Sequence, residues 1–527
     1  MPQYNSLIAG RWSSKADSQE FIHSYAPSTG EALPDSYPLS DYGELSAAVA
    51  AGLSAAVELV RIAPSTIADF LETYAANIEA GAEEICAMAA LETALPYEPR
   101  LRSVELPRTT NQLRQAAAAA RDRSWTTATI DTKLNIHSML RPMAGPIVVF
   151  GPNNFPLAFN AVSGGDFAAA IAAGNPVIAK ANPGHLSTTR LLAEAACKAL
   201  QTTGMPPSTL QLFYHCLPGD GLKLVAHQSV AAAAFTGSRE AGLALKAAAD
   251  AAGKPIYLEM SSVNPIFVLP GALSERGAEI AAEYSDACLL GAGQFCTNPG
   301  LVVVPAGSSG EAFLEAVVAR FRQRPAGTLL SQSGAARIDE AIRTLQQAGA
   351  EIVTGGGGAG FQFFNTLLRV SAKSFLKHAD LLQTEAFGPV SLIVIAADLA
   401  DMVAIAAKLH GNLTGGIYTH SQSHDDGAYD KLEPVLRVKV GRLLNNKMPT
   451  GVAVSPAMVH GGPYPATGHP GFTAVGIPAA LHRFAVLQGY DTVAQHRLPA
   501  ELRDKNPTGE MWRLVDGRWT QADLPRQ

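Results

Sequence analysis

Cysteine is scarce in this chain, and it is the first constraint on what the protein can be. Five residues, Cys86, Cys197, Cys216, Cys288 and Cys296, are an odd number with no CxxC pair. That argues against a disulfide framework and a zinc ribbon, and fits a reducing compartment. Positive charge is not in excess either: the net charge is -6 and the pI about 6.1, which lacks the basic footprint that phosphate-backbone binding needs. Nucleic acid is not an expected partner. Long uncharged apolar runs are missing, since Ala-rich stretches such as Ala116 to Ala120 are interrupted by Arg or Asp, so no membrane span is expected. The stretch Met1 to Gly10 has no basic segment followed by an apolar core, and no secretory signal is read there. A cytoplasmic protein is the expectation, with no metal.

What is present is a large apolar fraction. Hydrophobic residues make up 47% of 527 residues and charged ones 16%. That is enough to bury a sizeable interior, and the length predicts two or three domains. Residues 44 to 123 show Ala, Leu and Glu at three- and four-residue spacing, which predicts helices, with a start at Pro64-Ser65. Between Thr126 and Arg141 the pattern alternates, with Ile130, Thr132, Leu134 and Ile136 set against Asp131, Lys133, Asn135 and His137. This predicts a half-exposed strand or hairpin, and a projecting strand needs a partner edge, so it is a candidate oligomer arm or an ordinary edge strand.

Short apolar runs then alternate with helical segments: Pro146 to Phe150, Asn175 to Lys180, Leu210 to Tyr214, Val230 to Phe235, Ile256 to Met260, Pro265 to Leu269, Leu301 to Pro305, Leu392 to Ile395 and Gly415 to Thr419. Strands buried on both faces and separated by helices predict an α/β fold with doubly wound parallel sheets. Ligands in such sheets bind beyond the carboxyl ends of the strands. Phe235 to Gly242 packs a strand, a glycine turn and a helix start into eight residues, a geometry receptive to pyrophosphate although it is not the GxGxxG fingerprint. Gly355 to Gly360 reads as a surface turn.

Three residues invite chemistry. Cys296, in Gly293-Gln294-Phe295-Cys296-Thr297, is either a small core hydrophobe or a nucleophile, and a nucleophilic thiol calls for a site that lowers its pKa and a base nearby. Glu259 lies in an apolar strand, where a carboxylate must be paired, bonded to backbone or used. Asn154 occupies a tight turn before Phe155-Pro156, a place Asn takes for local bonding or for a ligand.

Asn154-Phe155-Pro156-Leu157, Lys180, Phe235-Thr236-Gly237-Ser238, Leu258-Glu259-Met260, Gly293 to Cys296 and Glu385-Ala386-Phe387-Gly388-Pro389 together resemble the NAD(P)-dependent aldehyde dehydrogenase superfamily, in order and spacing, over almost the whole chain. The resemblance implies an enzyme that oxidises an aldehyde to an acid through a cysteine thiohemiacetal and thioester. It implies that Cys296 attacks, that Asn154 and the Cys296 N–H form the oxyanion hole, and that Glu259 is the general base. Lys180 would face the adenosine ribose and Gly237 and Ser238 the pyrophosphate, with Thr236 and Gly242 in the same cradle. Glu385 would meet the nicotinamide ribose and Phe387 the ring.

Many NAD-preferring members carry Glu three residues after this lysine, whereas this chain reads Lys180-Ala181-Asn182-Pro183. NADP is therefore the favoured cofactor, with NAD permitted. The segments Arg108 to Arg114, Asn298-Pro299-Gly300, Pro449 to Val452, Pro456 to Thr467 and Leu498 to Trp519 resemble the branch of 2-oxoglutarate semialdehyde (2,5-dioxopentanoate) dehydrogenases and NADP-dependent fatty aldehyde dehydrogenases. That implies 2-oxoglutarate semialdehyde as substrate, or a medium- or long-chain aliphatic aldehyde. Arg108 is the candidate for a distal carboxylate, the alternative being a salt bridge. Phe155, Phe159, Phe295 and Phe472 would wall the tunnel. Ser261 stands where the branch has Gly, and its Cβ would crowd the site if a glycine conformation were needed.

By the same resemblance, residues 1-123 and 142-258 form the dinucleotide-binding domain, 259-477 the catalytic domain, 124-141 and 478-500 an oligomerisation arm, and 501-527 a tail; a homodimer or homotetramer is expected. Two other classes fit the residues less well. A non-catalytic nucleotide-binding protein has no chemical need for Cys296, Glu259, Asn154, Lys180 and Glu385 together. A cysteine hydrolase needs a His at the thiol, and His420 and His460 read as turn residues with no motif linking them to Cys296.

Overall fold

The computed structural model describes residues 3–13 and 20–524. Met1, Pro2, 14–19 and 525–527 lie outside the described residues, including the first two positions of the N-terminal stretch and the last three of the tail.

The predicted strands gather into two seven-stranded sheets. The first has the order Ile256–Glu259, Ala232–Thr236, Ile147–Phe150, Val177–Lys180, Leu210–Phe213, Ser6–Ile8, Arg11–Ser13. Its first five strands are parallel, and Ser6–Ile8 joins antiparallel with Leu7 opposite Leu212. All four residues of Leu210–Phe213 are buried, as a strand covered on both faces requires. Ile147–Phe150 sits centrally, and the chain runs outward from it in one direction and then returns to its other side. That reversal places a ligand crevice beyond Phe150 and Thr236.

The second sheet runs Glu351–Thr354, Thr366–Ser371, Val390–Ala396, Leu301–Pro305, Ile266–Val268, Asn412–Tyr418, Val440–Asn445, parallel except for its Glu351–Thr354 edge. Residues 42 to 122 form the helices Tyr42–Leu59, Pro64–Ala80, Ala82–Thr93 and Leu106–Asp122, with the wide π-helical segment Tyr97–Glu105 before the last. Pro64 stands at the first helical position, where its missing N–H is no loss.

The alternating stretch is a hairpin, Thr129–Asp131 with Ile136–Pro142. Its apolar residues do not share one face: Ile130 is buried, whereas Leu134 is 65% and Ile136 43% exposed. The Asp131 carboxylate accepts the Lys133 and Leu134 N–H groups and Asn135 turns at φ 54°, so the chain reverses and Met139 takes the buried side. Ala485–Asp491 pairs with one edge of this hairpin, while Arg513–Val515 and Arg518–Thr520 from the tail extend the other.

Three buried carboxylates anchor backbone N–H groups. Glu92 accepts Ser187 and Thr188 at the start of Leu186–Thr203. Glu105 accepts Leu157 and Ala158. Asp425 accepts Gly271 and Ala272 at the start of Pro270–Leu289, the helix that leads to Cys296, each at 2.8 Å. Anions on helix N-termini are favoured by the exposed N–H groups and the dipole. Asp425→Ala should lower unfolding stability by about 3 kcal/mol or more, in line with losing three charge-assisted bonds, the third from the His420 N–H, from a buried site; an unchanged urea midpoint would remove Asp425 from this role.

Candidate active site

Beyond Ile147–Phe150, Gly151 turns the chain so tightly that a Cβ would lie 2.7 Å from the Phe159 carbonyl oxygen. Asn154 follows and is buried. Its Nδ2 donates to the Gln294 carbonyl at 3.0 Å, tying this turn to the cysteine loop. Sequence reading missed the clamp behind it. Arg100, from the π-helical segment, pairs with Glu105, donates to the Asn154 carbonyl at 3.0 Å and lies over the Phe155 ring at 4.4 Å. The isolated positions of Arg100 and Glu105 gave no periodic or motif signal.

The cysteine loop begins with Gly291, Ala292 and Gly293 at φ 56°, 54° and 69°. Three successive left-handed residues end the helix abruptly. Gly293 is required twice over, because a Cβ there would meet the Gly388 carbonyl oxygen at 2.0 Å. Downstream, Asn264 holds the loop: its Nδ2 donates to the Cys296 carbonyl at 2.9 Å and the Asn298 carbonyl at 2.8 Å. Asn412 in turn accepts the Val263 and Asn264 N–H groups.

Cys296, Glu259 and His460 meet, with one ligand-type atom from each lying within 4.8 Å of the others. His460 Nε2 is 3.3 Å from Cys296 Sγ and 3.0 Å from Glu259 Oε1. This overturns the reading of His460 as a turn residue unconnected to Cys296. The one available signal was its place inside the Pro456 to Thr467 segment. His420 lies elsewhere, stacked on His424 with ring centroids 4.0 Å apart.

The thiol's environment also differs from expectation. Burial raises the Cys296 pKa well above the ordinary thiol value; the Glu259 charge pushes the same way, while Arg108 pulls it down. A desolvated sulfur beside a carboxylate holds its proton, so it must hand that proton over before it attacks.

Arg108 lies close enough to Cys296 and Glu259 for their charges to act on it. It donates to the Val452 carbonyl at 2.8 Å and lies 4.9 Å from the Phe159 ring centroid. Its Nε and one terminal nitrogen are buried without a hydrogen-bond partner, and among the described residues it makes no ion pair. Phe155 meets both Phe159 and Phe295 edge-on, at 5.3 and 5.5 Å. Phe472 does not join that cluster by ring contact; it is buried with its ring 5.0 Å from the Arg483 guanidinium.

The cofactor candidates occupy the adjoining crevice. Thr236 is opposite Glu259 in the parallel register, and Gly237 N–H donates to the Glu259 carbonyl at 3.1 Å. A Cβ on Gly237 would meet the Phe235 ring at 2.7 Å. Ser238 caps the helix Arg239–Ala251, and Gly242 packs within its first turns against Met260 and Phe235. Burial pushes the Lys180 ammonium down to about 8, with Cys216 opposing the shift and no carboxylate near enough to contribute. An unpaired cation at a strand end and a glycine turn at a helix start fit a dinucleotide. Glu385, Phe387 and Ser262 line one cleft with Phe295. Burial raises the Glu385 pKa, and hydrogen bonds from Ser261 and the Ser262 N–H oppose it. Ser261 has no positive φ, so its backbone needs no glycine, and its hydroxyl serves Glu385.

The model of the aldehyde dehydrogenase family matches residues 12–469. Alpha-ketoglutaric semialdehyde dehydrogenase 2 of Azospirillum brasilense is 39% identical, covering 95% of this chain and 97% of its own. Alpha-ketoglutaric semialdehyde dehydrogenase of Acinetobacter baylyi is 37% identical over 86% of this chain and 87% of its own. Among solved structures, aldehyde dehydrogenase C of Pseudomonas syringae, a complex with NAD+ and octanal, shares the fold with a TM-score of 0.79 at 20% identity, covering 94% of this chain and 98% of that one.

Because burial and Glu259 both raise the Cys296 pKa, its alkylation rate by iodoacetamide should climb about tenfold per pH unit from pH 7 to 9, as expected for a minority thiolate. Glu259→Gln removes one of the raising charges, so at pH 7.5 it should be alkylated several-fold faster. A plateau below pH 8 in the unmodified protein, read by mass spectrometry, would contradict this electrostatic picture.

Proposed function

This chain belongs to the aldehyde dehydrogenase family, and from that membership we propose that it oxidises 2-oxoglutarate semialdehyde to 2-oxoglutarate with NADP+ as cofactor. The reaction class, NAD(P)-dependent oxidation of an aldehyde to an acid, follows from the family. The substrate rests on one observation above all: Arg108 holds a buried guanidinium with two unused donors close enough to Cys296 for the two charges to interact. A distal carboxylate is the group that such a fork recognises. Both semialdehyde dehydrogenase relatives support the same substrate.

In this reading Cys296 Sγ attacks the aldehyde carbon, and its proton passes to His460 Nε2, 3.3 Å away, which leaves the Glu259 carboxylate ionised for the later step and returns the proton to the thiolate at the end of the cycle. Asn154 spends one amide N–H on Gln294; the other, with the Cys296 backbone N–H, meets the developing oxyanion. The bound nucleotide supplies the hydride acceptor. Collapse of the thiohemiacetal leaves a thioester on Cys296. Glu259 then removes a proton from water, which attacks the thioester and expels the thiolate.

Lys180, Thr236, Gly237, Ser238 and Gly242 would hold the adenosine and pyrophosphate half, Glu385 and Phe387 the nicotinamide half. Pro183 in place of a carboxylate, beside an unpaired Lys180, favours the 2′-phosphate. Phe155, Phe159 and Phe295 give an apolar passage, which is what favours the second reading, an aliphatic aldehyde; Phe472 would close its far wall.

We also divide the chain into the cofactor, catalytic, arm and tail segments set out above and place it in the cytoplasm as a homodimer or homotetramer. Five free thiols and the exposed Val486 and Leu487 on the edge strand Ala485–Asp491 support this. Among the described residues no helix is long and apolar enough to cross a membrane.

NADPH formation should be fastest by kcat/KM with 2-oxoglutarate semialdehyde, at least tenfold ahead of hexanal, or about 1.4 kcal/mol of transition-state discrimination. Cys296→Ala should be inactive with either substrate. Arg108→Ala should raise KM for the semialdehyde about tenfold or more and leave that for hexanal unchanged; equal effects would take Arg108 out of the carboxylate role. KM should also be lower for NADP+ than for NAD+, and the reverse order would refute the 2′-phosphate argument.

A further inference from the structure

We propose that Glu259, Cys296 and His460 form a soft-cation site that captures one Zn2+ per subunit, and that its occupation switches the enzyme off reversibly. The site uses the residues of the proposed catalytic centre. Its inhibitory consequence rests on that reading, whereas metal capture itself does not.

The donor set is the first ground. A thiolate sulfur, an imidazole nitrogen and a carboxylate oxygen are all zinc ligands, and the thiolate disfavours Mg2+ and Ca2+, which want oxygen. Spacing is the second. Zinc at its usual bond lengths spreads tetrahedral sulfur, nitrogen and oxygen ligands about 3.3 to 3.6 Å apart. Here Sγ lies 3.3 Å from Nε2 and Nε2 lies 3.0 Å from Oε1, with all three atoms inside 4.8 Å. The two imidazole pairs need to open by only a few tenths of an ångström, and the sulfur and the carboxylate, no farther apart than 4.8 Å, close on the ion.

Unsatisfied polarity is the third ground. Both Glu259 carboxylate oxygens are buried and, despite the nearby imidazole, make no hydrogen bond of acceptable geometry. A carboxylate left so gains from coordination. The three backbones are already fixed, so little ordering remains. Glu259 C=O accepts Gly237, Cys296 C=O accepts Asn264, and His460 is held between Thr473 and Ala474. The fourth position falls to water, as in other zinc sites with three protein ligands. Binding displaces the thiol proton to solvent and converts the nucleophile to a metal ligand, with no change of oxidation state.

The test uses full-length protein stripped with a chelator and titrated with Co2+ as an optical probe. A thiolate-to-cobalt charge-transfer band should appear at one equivalent per subunit, be displaced by Zn2+ in a metal-buffered titration, and vanish in Cys296→Ala. His460→Ala and Glu259→Gln should each weaken zinc at least tenfold while binding NADPH, read by its fluorescence, as the unsubstituted protein does. Zinc should abolish turnover and EDTA restore it. Absence of the band, or zinc affinity indifferent to both substitutions, overturns the site. A band in a protein that oxidises no aldehyde keeps the site and sinks the proposed function; turnover without a band does the reverse.

Discussion

Cys296 is held by its backbone, and the group that holds it is a single amide. Asn264, at φ 47°, places one side chain between the Cys296 and Asn298 carbonyls and the Thr414 hydroxyl. Asn412, from the strand Asn412–Tyr418, locks the Asn264 backbone. The cysteine loop is thereby fastened to the interior of the second sheet. Buried amides of this kind are fully committed, and a committed polar network fixes one geometry because any alternative leaves a donor unmet.

The same economy operates at the first sheet. Glu259 ends a strand whose neighbour ends at Thr236, and its carbonyl takes the Gly237 N–H. One residue therefore contributes its backbone to the glycine turn and its side chain to the cysteine. The crevice that the strand order creates for a nucleotide and the chemistry at Cys296 are adjacent because they share this strand end. Arg100 and Glu105 add the remaining tie, holding the Asn154 turn from the helical layer.

Electrostatically the cavity is arranged against a resting thiolate. Burial and Glu259 hold the proton on sulfur, and Arg108 opposes them from across the Phe159 ring. A thiol kept neutral until a substrate and a proton acceptor are in place is shielded from oxidation and stray alkylation. His460 makes that arrangement workable, since it touches both the sulfur and the carboxylate.

The sequence by itself determined the α/β class, the strand runs and the family, because those signals are local: apolar runs of strand length, glycines at turns, and motifs a few residues long. The alternation at Ile130 to Ile136 was legible as a hairpin at most, because side-chain period says nothing of the turn that Asp131 and Asn135 impose. The tertiary structure alone decided that His460 meets a sulfur 164 positions away, that Arg100 clamps the Asn154 turn, that Ser261 needs no glycine backbone, and that Arg108 comes unpaired within reach of the Cys296 charge. Periodicity reports which face of an element is buried. It carries no information about which distant segment arrives to meet that face, and in this protein the electrostatics at Cys296 are made by such meetings.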